Sequence, residues 1–280
     1  MTVLMSIFLG LVQGIAEFIP VSSSGHLSIL QNLLSLDYYD ESHLLFDVLL
    51  HLATLISICV VYRKELVEML SSAKDYLRAR GDSAAGEPVI LKPQARTLLF
   101  ILIGTLPMFI ALIFSSSIAR LFFNTAFVGF ALLITGGLLF VSDKYITRGN
   151  KTEKNIQLSD AVIVGLAQAA ATLPGLSRSG TTISVGLARG FSGSFAVRFS
   201  LFLSIPAVLG ATIVSLVRVI INGADFSLFP VYLVGFVVAA AVGFFAIQIL
   251  RRIMSKAGFG KIAFYCWGLG ILTILLTLIL

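Results

Sequence analysis

Two short segments, 155 residues apart, carry the residues in this chain that could do chemistry. The first, QGIAEFIPVSSSGH (13–26), holds Gln13, Glu17, Ser22, Ser23, Ser24, Gly25 and His26. The second, PGLSRSGTT (174–182), holds Ser177, Arg178, Ser179 and Thr182. Gln13 and Glu17 are four apart, so on a helix they share a face. A carboxylate beside an amide oxygen suits a hard divalent cation such as Mg²⁺. Glu17 could equally orient a histidine, shuttle a proton or pair with Arg178 for structure alone. Hydroxyls, free backbone N–H groups at a helix break and an imidazole together suit a phosphate group. A serine near a proton acceptor can also become a nucleophile. Arg178 adds a planar, permanently charged fork that grips phosphate oxygens in pairs. Ser22, Ser24, Gly25, Ser177, Ser179 and Thr182 are the expected phosphate-binding set around Ser23, His26, Glu17 and Arg178.

Other polar residues carry weaker signals. Asp47 and His51 are four apart near the outer end of an apolar run, and the reading favours packing over chemistry. His43 lies beside Glu41 in an acidic stretch and reads as solvated. Cys59 and Cys266 sit in apolar segments without metal-ligand spacing or a disulfide framework. The 22 Phe read as lipid-facing and core material rather than a cofactor box.

The elements that must position these residues are membrane helices. The 280-residue chain is 58% hydrophobic and 12% charged, with mean hydropathy +0.99. Soluble domains hold about 45–50% apolar and about 25% charged residues. A net charge of +6 and a pI near 9.5 would suggest nucleic acid in a soluble protein. Here the basic residues lie in short loops between apolar runs, which points to membrane topology and no nucleic-acid partner. The N-terminus lacks a basic leader segment, and its apolar stretch contains Gln13 and Glu17, so a cleaved signal peptide is not expected.

Six runs are long enough to span, near 44–62, 98–115, 125–142, 196–218, 230–250 and 263–280. The loops at 63–97, 143–157 and 251–262 hold fifteen of the twenty Lys and Arg, which predicts that these loops are cytoplasmic and that both termini face outward. Asp37, Asp40, Glu41 and Asp225 fall on the opposite side. Residues 10–29 align without gaps on 165–184, with identities at Gly10/Gly165, Leu11/Leu166, Gln13/Gln168, Ala16/Ala171, Ser22/Ser177, Ser24/Ser179 and Gly25/Gly180. Three spans follow each copy, an odd number, so the second copy is upside down relative to the first. The expected fold is an all-α polytopic membrane protein, with six transmembrane helices and two re-entrant helical hairpins in an inverted-topology repeat. It forms a single membrane domain over 1–280, with repeats near 1–142 and 158–280 joined by a cytoplasmic loop.

The two motifs, in this order and with this span pattern over essentially the whole chain, resemble the undecaprenyl-diphosphate phosphatase family of the bacitracin-resistance type. Its signatures are an (E/Q)xxxE segment running into PVSSxGH, followed by PGxSRSxxT. The resemblance implies hydrolysis of undecaprenyl diphosphate to the monophosphate and inorganic phosphate. It places this at the outer face of the bacterial plasma membrane, recycling the lipid carrier of peptidoglycan synthesis. It implies a divalent cation, Mg²⁺ or Ca²⁺, and functional positions at Gln13, Glu17, Ser23, His26, Ser177, Arg178 and Thr182. Gln at position 13 removes one carboxylate from the implied metal site. Ser23 is the expected nucleophile, with His26 helped by Glu17 moving protons. His26 as nucleophile and a metal-held water are the alternatives. The inverted repeat also fits a polyprenyl-phosphate flippase, and a homodimer is left open by the sequence. A weaker resemblance to the type-2 phosphatidate phosphatases fails because no histidine follows Ser177-Arg178 at the required place.

Overall fold

A computed structural model describes residues 1–33, 41–82, 90–145, 149–222, 226–255 and 259–279. Asp37, Asp40 and Asp225, and the basic residues Arg148 and Lys256 of the 143–157 and 251–262 loops, lie outside them. Thirteen helices are described: α1 Val3–Ala16, α2 Ser23–Leu33, α3 Glu41–Val61, α4 Arg63–Asp82, α5 Pro93–Thr105, α6 Met108–Ile113, α7 Ser115–Leu121, α8 Thr125–Tyr145, α9 Leu158–Ala170, α10 Arg178–Ala188, α11 Gly193–Asn222, α12 Phe229–Ser255 and α13 Phe259–Ile279. Among the described residues the only β pairing is an isolated bridge between Lys151 and Phe191. Six helical segments are long and apolar enough to cross a membrane: α3, α5 with α6, α8, α11, α12 and α13. They fall on the six runs expected from the sequence. The chain is an all-helical multi-pass membrane protein.

The structure differs from the sequence reading in two places. The expected loop at 63–97 contains α4, a 20-residue helix that leaves Val67, Leu70 and Leu77 exposed. The second span is broken at Pro107, whose ring cannot continue the helical hydrogen-bond ladder, so α5 and α6 are separate pieces.

The two interrupted regions are helix–break–helix units with matching bounds. Shifting α1 and α2 by 155 lands on α9 and α10 to within one residue. Each unit's helices start where a side chain satisfies free backbone donors. Thr2 accepts from the amide of Met5 ahead of α1. Gln157 and Asp160 form a reciprocal capping box ahead of α9. Ser22 accepts from Gly25 N ahead of α2, and Ser177 from Gly180 N ahead of α10, both at 3.1 Å. With 14 and 13 residues, α1 and α9 each rise only about 20 Å, short of a bilayer core of about 30 Å.

Packing across the halves repeats too. The first arm α1 packs on α12, its counterpart α9 packs on α5, and α8 packs on α13. A Cβ on Gly10 would come within 2.5 Å of the Gly235 carbonyl oxygen, and one on Gly165 would collide with the Gly104 carbonyl. These paired glycines let the arms approach partner helices backbone to backbone, the usual close-contact device in membranes. Two buried apolar clusters flank the breaks. One surrounds Phe18, Tyr62, Phe191, Phe199 and Leu203, and the other Leu9, Phe46, Leu50 and Tyr232. Asp160, fully buried at the base of α9, is held by Lys151 and Arg189 at 3.0 and 2.8 Å.

The second break depends on Gly175. Its φ of +91° is strained for any L side chain, and an added Cβ would come within 2.5 Å of the Val128 carbonyl oxygen. Gly175→Ala is therefore expected to destabilise the protein by at least about 1–3 kcal/mol, seen as a lower melting temperature in detergent. Gly137→Ala, where an added Cβ meets nothing within 4 Å, should not lower it.

Candidate active site

The two breaks meet. Gly25 faces Gly175 closely enough that a Cβ would lie 3.0 Å from the Gly175 Cα, and Gly180 faces Pro20 in the same way at 3.2 Å. Between the breaks, Arg178 Nη2 donates to Glu17 Oε1 at 2.5 Å. The other oxygen, Oε2, accepts from Ser23 Oγ at 2.6 Å and from Gln13 Nε2 at 3.1 Å. Glu17 is buried, so its charge is compensated by the guanidinium and by two further donors. Such a carboxylate is tolerable at membrane depth; an unpaired one would be costly.

The caps recur at both tips. Ser22 Oγ lies 3.3 Å from Ser24 Oγ, and Ser177 Oγ lies 3.3 Å from Ser179 Oγ. Ser22 adopts φ +70°, an uncommon backbone for a non-glycine residue. Thr135 of α8 clamps the second tip: its hydroxyl donates to the Gly175 carbonyl at 2.9 Å and accepts from the Ser177 amide at 3.0 Å.

A cavity of about 330 Å³ opens against this junction. Of the expected residues, Glu17, Ser22, Ser23, Ser24, Ser177 and Arg178 line it. Asp47 and His51 line it as well, against the expectation of packing roles, together with Gln31, Thr212 and Ser215. Gln31 Nε2 donates to Asp47 Oδ1 at 3.0 Å, and His51 Nδ1 lies 2.8 Å from the Asp47 carbonyl. The i, i+4 spacing was legible, but which face of α3 meets the cavity depends on how α2 and α11 pack against it.

Several expected site residues lie elsewhere. His26 is not among the cavity-lining residues. Its Nδ1 lies 2.8 Å from the Ser22 carbonyl and its Nε2 2.7 Å from Tyr265 Oη, with the two rings stacked at 5.7 Å. α2 turns Ser23 toward the cavity and His26, three residues on, toward α13. Thr182 is buried behind the tip, 2.6 Å from Ser200 Oγ and donating to the Arg178 carbonyl at 2.8 Å. Gly25 and Ser179 shape the tips without lining the cavity. Thr135 and Tyr265 had no motif signal in the sequence.

Gln13 and Glu17 do not suit a divalent cation in this geometry. Gln13 is fully buried and does not line the cavity. Its Oε1 has no partner, but neither has that of the repeat-equivalent Gln168, where no carboxylate is adjacent. A cation on Glu17 would sit beside the Arg178 guanidinium, which repels it.

Fold and site thus define a polytopic membrane protein with a buried hydroxyl–carboxylate–guanidinium junction between two helix breaks. A match to the bacitracin resistance protein BacA family covers residues 6–272, and the chain belongs to this family. Relatives include an undecaprenyl-diphosphatase of Methanobrevibacter smithii, 38% identical over 97% of this chain and 96% of its own length. The undecaprenyl-diphosphatase of Alkaliphilus metalliredigens is 38% identical over the full length of both chains, and that of Methanosphaera stadtmanae 35% over 99% of both.

The junction makes Thr135 a sensitive position. Thr135→Val keeps the volume but strands a buried amide and a carbonyl, which is expected to cost about 1–3 kcal/mol. Thermal unfolding in detergent reads this as a lower midpoint; an unchanged midpoint would show that other contacts hold the tip.

Proposed function

We propose that this chain hydrolyses undecaprenyl diphosphate to undecaprenyl phosphate and inorganic phosphate, as the names of its full-length relatives indicate. One observation carries the mechanism: the Ser23 hydroxyl donates to a Glu17 carboxylate that is also ion-paired to Arg178. In the family this activity returns the lipid carrier to cell-wall synthesis and underlies resistance to bacitracin.

The diphosphate head occupies the cavity while the polyprenyl tail stays among the exposed apolar side chains of the spans. Arg178, the Ser22, Ser24 and Ser177 hydroxyls and the free N–H groups at the starts of α2 and α10 hold its phosphate oxygens. As the phosphate draws the Arg178 fork, Glu17 loses part of its neutralising partner and becomes a stronger base. Glu17 then takes the Ser23 proton as Ser23 Oγ attacks the terminal phosphorus. A Ser23 Oγ–P bond forms, the bond from phosphorus to the bridging oxygen breaks, and undecaprenyl phosphate leaves with the electron pair. Glu17 passes the Ser23 proton to solvent in the cavity, then takes a proton from the water that attacks the phosphoserine. The Ser23 Oγ–P bond breaks, Glu17 returns that proton to Ser23 Oγ, and inorganic phosphate leaves. Such phosphoryl transfer depends chiefly on positioning and charge stabilisation. In this reading His26 steadies the first tip through Ser22 and Tyr265, in place of the direct proton transfer expected from the sequence. The comparisons lend no support to a flippase.

The same reading puts the site at the outer face of the plasma membrane. The cavity lies toward the start of α3, the α7–α8 junction and the end of α11, away from the basic loops around α4, 149–157 and the end of α12. Both helix–break–helix units are then re-entrant hairpins entering from opposite faces, with both termini outside and the two halves related as an inverted repeat.

Two experiments test this. Purified protein should release phosphate from a long-chain polyprenyl diphosphate, and Ser23→Ala, Glu17→Gln and Arg178→Gln should each lower the rate at least about a hundredfold. Rapid quench should trap phosphoserine at Ser23; phosphohistidine, or full activity in Ser23→Ala, would overturn the assignment. For topology, single cysteines at residues 2 and 41, which flank the first unit, in a background without Cys59 and Cys266, should both label from the outside. Labelling from opposite sides would refute the hairpin arrangement.

A further inference from the structure

Arg178 is the one permanently positive side chain among the described residues lining the cavity, and it is already paired to Glu17. A diphosphate brings more than one negative charge into a space with partly apolar walls, where uncompensated charge is penalised heavily. The described lining contains one other group able to become a cation, the imidazole of His51. Imidazole is the side chain whose charge changes near neutral pH. His51 is therefore where the cavity's own residues can gain positive charge when an anion enters.

The ring is held with one nitrogen free. Its Nδ1 lies 2.8 Å from the Asp47 carbonyl, one turn earlier on α3. A carbonyl oxygen only accepts, so Nδ1 carries a hydrogen, and Nε2 of the neutral ring is a bare lone pair. Nε2 has no hydrogen-bond partner among the described residues, and it is not enclosed as Gln13 Oε1 and Gln31 Oε1 are. His26 differs, since both its ring nitrogens are engaged, by the Ser22 carbonyl and the Tyr265 hydroxyl. A bare lone pair would repel phosphate oxygens, whereas a protonated Nε2 would donate to them. The described charged groups that line the cavity with His51 are Asp47 on its own helix, Glu17 and Arg178. Glu17 is near enough for its charge and that of an imidazolium to attract. The helices packed on α3, namely α1, α4, α11 and α12, add no further charged residue to the described lining.

We infer that His51 is a phosphate-binding residue whose Nε2 takes up a proton from solvent as the diphosphate head enters and then donates a charge-assisted hydrogen bond to a phosphate oxygen. Such a bond is about twice as strong as one between neutral groups. Binding of the head group and protonation of His51 are then linked, and each favours the other. The inference rests on the phosphatase reading for its anion, but it can fail independently.

The chain has three histidines, so isotope-labelled histidine in the purified full-length protein gives few NMR signals, and His51→Gln identifies the one from His51. Inorganic pyrophosphate is the probe for the head group. It should raise the midpoint of the His51 titration by about one pH unit, which corresponds to about tenfold in affinity between the two charge states. Steady-state kinetics give a second readout. At about pH 6, His51→Gln should raise KM for a long-chain polyprenyl diphosphate about tenfold while kcat stays within about threefold. By about pH 9 the two KM values should converge, because neutral imidazole offers no donor at Nε2. Comparing both proteins at the same pH cancels the substrate's own ionisation, and melting temperatures in detergent check that the variant is folded. A purely structural His51 would give a KM ratio that does not change with pH. That result, or a His51 midpoint that pyrophosphate leaves in place, would overturn the inference while phosphate release by the wild type left the phosphatase reading standing. A midpoint that moves with pyrophosphate in a protein that releases no phosphate would do the reverse.

Discussion

The ion pair between Glu17 and Arg178 is the interaction around which the rest of the molecule is arranged. Its partners are 161 residues apart in sequence and belong to different halves of the chain. Either charge alone would be costly among membrane helices, so the two breaks must stay in register for either to be tolerated. Much of the unusual local structure serves that register. Gly175 supplies a left-handed backbone where an added Cβ would strike α8, and Thr135 of α8 holds the same tip through two hydrogen bonds. Farther out, Gly10 on Gly235 and Gly165 on Gly104 set the depth of each arm against its partner helix.

The same pair gives the site its chemistry. Ser23 hydroxyl, Glu17 carboxylate and Arg178 guanidinium form a continuous hydrogen-bonded line from one tip to the other. At rest the guanidinium neutralises the buried carboxylate. In the proposed reaction an anionic ligand competes for that guanidinium and leaves the carboxylate freer to act as a base. On that proposal structural stability and reactivity draw on one contact.

Much of this was legible in the sequence, for identifiable reasons. The six spans follow from apolar run length, and the two breaks from Pro, Gly and Ser inside such runs. The 155-residue offset marks both caps correctly, because Ser22 and Ser177 bond the equivalent glycine amides. Pro107 was a visible signal for the split second span, though not for its geometry. What stayed hidden depends on tertiary packing. Helical spacing shows that Asp47 and His51 share a face but not that the face meets the cavity. Nor does it show that His26 turns to Tyr265 of α13, 239 residues away. Helix α4 was missed because its basic side chains mark a loop in a topology count and its low hydropathy sets it apart from the strongly apolar spans, although its apolar residues recur at helical spacing.

The two tips show what an internal repeat preserves and what it releases. The capping serine, the second serine and the glycine are shared, and they make the same hydrogen bonds in both copies. Those bonds satisfy the amides at the start of a helix, a need set by the backbone and so identical in each copy. The residue directly after the cap has no such duty. It sits at the first turn, beside the cavity, and there the copies diverge to Ser23 and Arg178. Because α2 and α10 both begin at the cavity wall, their partial positive ends add to the field that an anion would meet there. The duplicated frame thus supplies the same capped helix start twice over. The residue after each cap then differs, a hydroxyl on one side and a fixed charge on the other, and the proposed reaction uses these as nucleophile and anion holder.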